Sequence, residues 1–201
     1  MTLHEAIDTL VRDPQAFMRS EVLCIAGKTT ASAGPALFEL RKTSGAIWSA
    51  VYVTHDVAAG VKPDRFVAWY VPMQQIGNFS VNWLPTPEQS PIDLMLTSQL
   101  SGCMFGMGES GGRTCVAHVQ PDQNAYKNTS VSPGMKHAYR QNDLGSAFMH
   151  KDLIPIAAAD FDYDRGEKAA VVGKRTPDGE WKMYIQRFDM LAEQVTGLKT
   201  V

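Results

Sequence analysis

The sequence has 201 residues, a formal net charge of −2, and 44% hydrophobic against 20% charged side chains. This length and composition predict one folded domain over residues 1–201, with a core large enough to need no covalent staples. A charge this close to neutral favours neither nucleic acid nor a membrane surface as a partner. The three cysteines, Cys24, Cys103 and Cys115, form no C-x-x-C pair, which argues against a disulfide scaffold and a structural zinc site.

The chain opens with an amphipathic pattern in which Leu3, Ile7, Leu10 and Val11 recur at helical spacing. Charged residues are scattered through this segment, so it does not resemble a Sec-type signal peptide. No apolar run in the sequence reaches the length of a transmembrane helix. The opening segment therefore predicts an α-helix that packs on the domain, and export, if it occurs, would use another route.

Most of the following chain reads as β-strands, predicted over 21–27, 35–41, 45–55, 64–73 and 79–84. A helix is predicted over 91–100, because Ser90 resembles an N-cap and Pro91 would take the first helical position. Residues 120–152 are irregular apart from one short helical pattern, and 171–188 predict a hairpin around Pro177, Asp178 and Gly179. These elements predict an α+β fold, a central mixed β-sheet or sandwich with flanking helices, in which Cys103 lies at a helix-to-strand junction.

Two motifs resemble ligand sites without meeting their requirements. "IAGKTT" ends like a phosphate-binding loop, but Val22 stands where the motif needs its first glycine. "DFDYDRGE" begins like a calcium loop, but Arg165 and Val171 replace the required glycine and glutamate. We therefore expect neither a nucleotide nor a metal ion to bind there, and the other histidines show no ligand spacing.

The segment "CMFGMGESGGRTCVAH" predicts a hairpin with a glycine-rich turn centred between Ser110 and Gly111. That register pairs Cys103 with His118, close enough for contact between a thiol and an imidazole. Cys115 lies three residues from His118 on the same strand, so the two side chains point to opposite faces. The geometry selects Cys103 as the candidate nucleophile and makes Cys115 a core residue.

An imidazole beside a thiol can activate it and later protonate a leaving group. A third group should orient the ring, and a backbone carbonyl on a neighbouring strand is one candidate. The pattern also fits a buried cysteine near a histidine that only satisfies a backbone carbonyl. Spacing alone leaves both interpretations open.

"LSGC" at 100–103, with a histidine on the next strand, resembles the catalytic core of the cytotoxic necrotizing factor family of bacterial glutamine deamidases. "IDLMLTSQLSGCMF" is similar to the segment around the catalytic cysteine of a small stand-alone family member, including a threonine six residues earlier, here Thr97. "FVAWYVP", "YDRGEKAAVVGKR" and "MYIQRF" resemble other strands of that protein. The likeness runs from about residue 67 to 188, although only the LSGC segment is specific.

The resemblance implies a cysteine hydrolase that converts one glutamine of a target protein into glutamate, without a metal or organic cofactor. Cys103 would be the nucleophile, His118 the general acid and base, and Thr97 a supporting residue. Tyr163 would line the substrate cleft, while Ser101 and Gly102 would help to position the substrate. In larger family members a main-chain carbonyl on an upstream strand orients the imidazole, which suggests the strand 67–71 here, with Tyr70 as the candidate.

The resemblance further implies a monomeric toxin or effector, secreted or translocated by a bacterium, that acts in the host cytoplasm on a Rho-type GTPase or the translation initiation helicase 4A. Three alternatives remain, of which one is a non-enzymatic bacterial structural or immunity protein. A papain-like cysteine protease or acyltransferase would place its histidine far downstream of the cysteine, unlike this short hairpin. A catalytically inactive relative would bind a partner protein without performing chemistry.

Overall fold

The computed structural model of the protein describes residues 1–28, 32–59, 62–75, 81–101, 103–120, 155–158 and 168–201. The predicted N-terminal helix is present as α1, Leu3–Arg12, and a second helix, α2, Pro14–Ser20, follows at once. Thr2 and Glu5 form a capping box at the start of α1, and Asp13 caps α2. None of the helices among the described residues is long and apolar enough to cross a membrane.

The strands of the described residues form two sheets. The large sheet contains eight strands, which are β1 (Val22–Ala26), β2 (Gly34–Ser44), β3 (Ile47–Thr54), β4 (Arg65–Val71), β7 (Leu94–Thr97), β11 (Lys168–Arg175), β12 (Trp181–Asp189) and β13 (Gln194–Thr200). The small sheet contains five, which are β5 (Gln74–Gln75), β6 (Asn82–Trp83), β8 (Met104–Ser110), β9 (Arg113–Gln120) and β10 (Pro155–Ala158). A short 3₁₀-helix, Val57–Ala59, follows β3.

The strand order of the large sheet is β1-β3-β2-β4-β7-β11-β12-β13. Its β1–β3 and β4–β7 pairs are parallel and its other pairs are antiparallel. In the small sheet β8 and β9 form a central hairpin, with β10 beside β8 and with β5 and β6 both pairing with β9. The prediction of an α+β fold with a mixed sheet is therefore confirmed.

Alternation along the central strands of the large sheet places side chains in two separate cores. Ala170 and Val172 of β11 belong to a core shared with both helices, whereas Ala169 and Val171 belong to a core shared with Phe105, Met107 and Val116 of the small sheet. This is the period of two expected when both faces of a strand are buried. The protein therefore has three layers, with the helices on one face of the large sheet and the small sheet on the other. We call the second core the inter-sheet core.

The predicted helix over 91–100 is wrong, because this segment carries strand β7. The residues of β7, Leu94–Thr97, are all buried, since the strand lies between β4 and β11 and has a core on each face. A short apolar run of this kind has no one-sided pattern to distinguish it from a helix. Ser90 does not cap a helix but accepts a 3.2 Å hydrogen bond from the Ile92 amide within a turn.

The other strand predictions fare better. Strands β1 to β4 lie within or around the segments predicted for them, and β6 occupies part of 79–84. The predicted hairpin over 171–188 is present as β11 and β12, which pair from Lys168↔Phe188 to Arg175↔Trp181. Strand β13 was not predicted. Most of the irregular segment 120–152, including its short helical pattern, lies outside the described residues.

Candidate functional site

Cys103 lies where the chain passes from the large sheet to the small one. After β7 the backbone of Leu100 exchanges two hydrogen bonds with Ala169 of β11, at 2.8 and 3.0 Å. Strand β8 begins at Met104, directly after the cysteine. Cys103 therefore follows a strand and a β-bridge, not a helix, and the predicted helix-to-strand junction is wrong. The position places its side chain in the inter-sheet core, where only 7% of the residue is exposed.

The hairpin register also differs from the prediction. Gly111 and Gly112 both have positive φ, 56° and 71°, so they form the turn between β8 and β9. The centre therefore lies one residue further along, and Phe105, not Cys103, is paired with His118. Each residue of β8 therefore has a partner on β9 two positions further along the chain than predicted. Because side chains alternate between the two faces, a shift of two residues leaves every side chain on its predicted face. Cys103 precedes Phe105 by two positions and joins it in the inter-sheet core.

His118 is the histidine of strand β9 and is completely buried. Its Nδ1 lies 2.6 Å from Thr97 Oγ1, and the same hydroxyl lies 2.7 Å from the main-chain oxygen of Val71. A carbonyl oxygen cannot donate, so the single hydroxyl proton of Thr97 must point to Val71. Thr97 then accepts from His118, which fixes the proton of the neutral imidazole on Nδ1. The ring is thus held in the tautomer whose Nε2 carries a lone pair.

The lone pair of Nε2 is available for proton transfer. Within the described ranges Nε2 is buried and has no hydrogen-bond partner. Burial lowers the pKa of His118 from 6.5 to about 3, because the surrounding core disfavours the imidazolium. His118 is therefore neutral throughout the physiological pH range, and it presents a base at Nε2 and a fixed donor at Nδ1.

The burial of His118 predicts a loss of stability in mild acid. As pH falls through 6.5 the unfolded chain binds a proton at this residue, while the folded protein does not until pH approaches 3. Stability from this source is complete above pH 6.5, and between pH 7 and pH 5 we expect the free energy of unfolding to fall by about 2 kcal/mol. Denaturant unfolding across this interval measures the effect. A His118→Asn variant should lose this part of the pH dependence, and an unchanged profile would contradict the assignment.

The Cys103 thiol has a different neighbour from the one that the sequence predicts. Its Sγ donates a hydrogen bond to Sδ of Met73, with 3.3 Å between the sulfur atoms. Met73 follows β4 and immediately precedes β5, whose Gln74 pairs with Val119 in a parallel register. Met73 immediately precedes Gln74, and His118 immediately precedes Val119. Because the two segments run parallel, Met73 lies beside His118 on the neighbouring segment. The thiol, the thioether and the imidazole therefore belong to one site.

The two other cysteines lack such a site. Cys115 is fully buried on β9, and burial raises the pKa of its thiol to about 11. Burial also raises the pKa of the Cys24 thiol, which lies in the core shared with the two helices, with its Sγ 3.5 Å from Met190 Sδ. A raised pKa suppresses the reactive thiolate. All three cysteines are described, and no disulfide joins them.

The remaining predicted site residues are less closely connected. The Tyr70 hydroxyl lies 2.7 Å from Ser98 Oγ and 3.2 Å from the Lys28 carbonyl, and its ring belongs to the core beneath the helices. The carbonyl that the imidazole reaches through Thr97 is that of Val71, which lies on the strand predicted to supply it and follows Tyr70 by one residue. Ser101 is exposed beside Cys103. Gly102 and Tyr163 lie outside the described residues.

Sequence reasoning missed both Val71 and Met73. Val71 acts through its main chain, so no side-chain pattern could reveal it. Met73 stands next to Pro72, which cannot donate to a sheet ladder and so predicts a break in the strand. That break leads Met73 towards Cys103, but the contact spans thirty residues of sequence.

The structure bears differently on the two apparent ligand motifs. A phosphate-binding loop requires a helix directly after it. The next element after Lys28 of "IAGKTT" among the described residues is strand β2, and residues 29–31 are not described. The "DFDYDRGE" segment lies outside the described residues. In the ranges that are described, no three His, Cys, Asp or Glu side chains are grouped to hold a metal ion.

A cavity of about 590 Å³ opens at the far end of the β8–β9 hairpin. Buried Leu84, Met107 and Trp181 line its apolar part, while Glu109 and Arg113 contribute charged groups. Met107 lies four residues beyond Cys103 along the chain. Neither Cys103 nor His118 lines this cavity, so it is separate from the candidate site.

Comparison with known proteins adds no family assignment: no protein-family model matches the sequence, and no curated protein matches it significantly. The resemblance to glutamine deamidases therefore stays a prediction from the residues quoted above.

Proposed function

We propose that the protein is a protein-glutamine deamidase in which Cys103 is the nucleophile and His118 the general acid and base. One observation carries the proposal. The hydrogen-bonded series from His118 Nδ1 through Thr97 Oγ1 to the Val71 carbonyl leaves Nε2 as a base in the core that also holds Cys103. Among the described residues Nε2 has no hydrogen-bond partner, and a buried polar atom without a partner costs free energy, which favours a chemical role for it.

The proposed reaction begins with transfer of the thiol proton from Cys103 Sγ to His118 Nε2. The thiolate attacks the carboxamide carbon of the target glutamine to form a tetrahedral intermediate. When the C–N bond breaks, the Nε2 proton passes to the nitrogen and ammonia departs, which leaves a thioester. His118 then removes a proton from water, whose oxygen attacks the thioester to release glutamate and restore the thiol. A primary amine in place of water would give transglutamination.

The Val71–Thr97 pair supports both halves of this cycle. When Nε2 gains a proton, the imidazolium still donates through Nδ1 to Thr97, whose hydroxyl remains aligned by the carbonyl. A neutral acceptor pair orients the ring without adding a charge to the core. This differs from a histidine oriented by a buried carboxylate, which would stabilise the imidazolium more strongly. The proposed cycle requires neither a metal ion nor an organic cofactor.

The proposed substrate is a glutamine of a host protein, and a Rho-type GTPase or the translation initiation helicase 4A is the class that the resemblance implies. Replacing a neutral amide by a carboxylate introduces charge, which disables a target where the amide is buried or lies near a reacting phosphate. Delivery of a bacterial effector to the host cytoplasm belongs to the same proposal.

The proposal is tested by treating a eukaryotic lysate with the protein or with its Cys103→Ser variant and mapping peptides by mass spectrometry. We expect a single dominant glutamine to gain the mass difference of glutamate with the wild type alone. A cleaved peptide bond at a specific site would instead favour a protease. No modified residue in lysates that contain both target classes would contradict the deamidase proposal.

A second candidate, an inactive relative that binds a partner protein, is favoured by one observation: the Cys103 thiol donates to Met73 Sδ, while His118 Nε2 has no hydrogen-bond partner among the described residues. Selective alkylation separates the candidates. A deamidase should show faster iodoacetamide labelling at Cys103 than at an ordinary thiol at neutral pH, while a binding protein should show no such excess.

A further inference from the structure

Met73 and His118 each carry a group that can accept a hydrogen bond from the Cys103 thiol. Met73 Sδ accepts the S–H hydrogen bond at 3.3 Å. His118 Nε2 carries a lone pair and has no hydrogen-bond partner among the described residues. A thioether is a weak acceptor and cannot take the proton, whereas a neutral imidazole can do both. The hydrogen bond to Met73 therefore involves no transfer of the thiol proton, whereas one to His118 Nε2 would provide a base for that transfer.

Two separate backbone constraints hold Met73 in this place. On one side Val71 is paired with Thr97 in the large sheet, and on the other Gln74 is paired with Val119 in the small sheet. The chain therefore crosses between the sheets at residues 72 and 73. Met73 is partly buried against the inter-sheet core. Its thioether is thus positioned by both sheets and is not a mobile surface group that meets the thiol by chance.

His118 is equally constrained, because Thr97 holds Nδ1 and completes a series that ends on the Val71 carbonyl. Rotation of the imidazole towards the thiol would break this series. The side chain of Cys103, in contrast, has one torsion and ends in the sulfur. Joining the thiol to Nε2 without breaking this series would therefore take a rotation of the Cys103 side chain away from the thioether.

We propose that Met73 is a positioning residue that holds Cys103 in a resting state, and that the reactive cysteine–histidine pair forms when the thiol leaves the Met73 thioether for His118 Nε2. The step moves one proton from Sγ to Nε2 and leaves a thiolate and an imidazolium, with no change in net charge. The inference rests on the proposed function for its purpose, but its geometry concerns the thiol alone. In the resting state the thiol would be less reactive towards oxidants and alkylating reagents than in the cysteine–histidine pair.

The test measures the rate of iodoacetamide alkylation of Cys103, by peptide mass spectrometry, in the wild type and in Met73→Leu. Leucine has nearly the volume of methionine but no acceptor, so the fold should be retained. We expect labelling at pH 7 to accelerate at least about tenfold, because the released thiol pairs with His118 and gains thiolate character. An unchanged rate would overturn the proposal.

A general loosening of the site would also expose the thiol, and the double variant Met73→Leu/His118→Asn separates the two causes. If the thiol is transferred to His118, the acceleration should disappear in the double variant. An acceleration that persists without His118 would overturn the proposal. The pH profile of Met73→Leu gives a second criterion within a single variant, since pairing extends reactivity to lower pH, while loosening raises the rate without shifting the profile.

This experiment does not depend on deamidation. A Met73→Leu variant that labels faster through His118 but modifies no glutamine would support the thiol exchange and count against the proposed substrate. A wild type that deamidates its target while Met73→Leu labels at the wild-type rate would support the proposed function and overturn the thiol exchange.

Discussion

Cys103→Ser is expected to abolish deamidation while leaving the fold intact. Serine is nearly isosteric with cysteine, and Cys103 is buried at a point where a larger side chain would disturb the inter-sheet core. The hydroxyl is far less acidic than the thiol, so transfer of its proton to His118 is much less favourable. We expect a loss of at least about 10⁴-fold in kcat, as when the nucleophile of a catalytic triad is removed. Ammonia release from the target protein measures it.

Cys115→Ser is the matched control for this variant. Cys115 is as deeply buried, but it lies on the opposite face of β9 from His118, and its thiol has a raised pKa of about 11. Most of the activity should survive, and any change should appear as lower thermal stability. Activity that persists in Cys103→Ser, or vanishes in a folded Cys115→Ser protein, would place the nucleophile elsewhere.

Thr97→Val is expected to cost both stability and activity, although it removes only a hydroxyl. The change leaves the Nδ1–H of His118 without an acceptor in a fully buried position. Such an unsatisfied group costs about 1–3 kcal/mol of unfolding free energy. The imidazole also loses the constraint that keeps its proton on Nδ1, so the tautomer with a basic Nε2 becomes only one of two. We expect kcat to fall on the order of a hundredfold, with a smaller change in KM.

Thr97→Ser provides the control because it restores the hydroxyl and removes only a methyl group. It should recover most of the lost activity, although the small cavity reduces stability slightly. The ¹⁵N spectrum of the His118 imidazole gives an independent measurement, since the proton should reside on Nδ1 in the wild type and in Thr97→Ser. A Thr97→Val protein with wild-type kcat would show that Thr97 does not set the tautomer.

The hairpin of β11 and β12 and the mistaken helix illustrate what a sequence pattern can and cannot reveal. The hairpin was predicted because Pro177, Asp178 and Gly179 specify a turn locally, whatever the rest of the chain does. The segment that became β7 has no such local signal. Its apolar residues are compatible with a helix until β4 and β11 enclose it, and those strands are distant in sequence.

The β8–β9 hairpin is an intermediate case. Its glycines predicted a turn, but several neighbouring positions could have adopted the left-handed conformations, and the choice of Gly111 and Gly112 displaced every pair by two residues. The conclusion that depends only on parity survived, namely that His118 and Cys115 lie on opposite faces of β9. The direct pairing of Cys103 with His118 depended on the exact register and did not survive.

The sequence by itself determined the amphipathic first helix, most of the strands of the large sheet, and the selection of Cys103 and His118 as the candidate pair. These follow from local periodicity, because the side chains of a strand alternate whatever the strand packs against. Only the tertiary structure decided the three hydrogen bonds of the site. They join Thr97 to the Val71 carbonyl, His118 to Thr97, and the Cys103 thiol to Met73. Those contacts join residues 21 to 30 positions apart in the chain, and their partners are set by the order of strands in the two sheets, which no local pattern encodes.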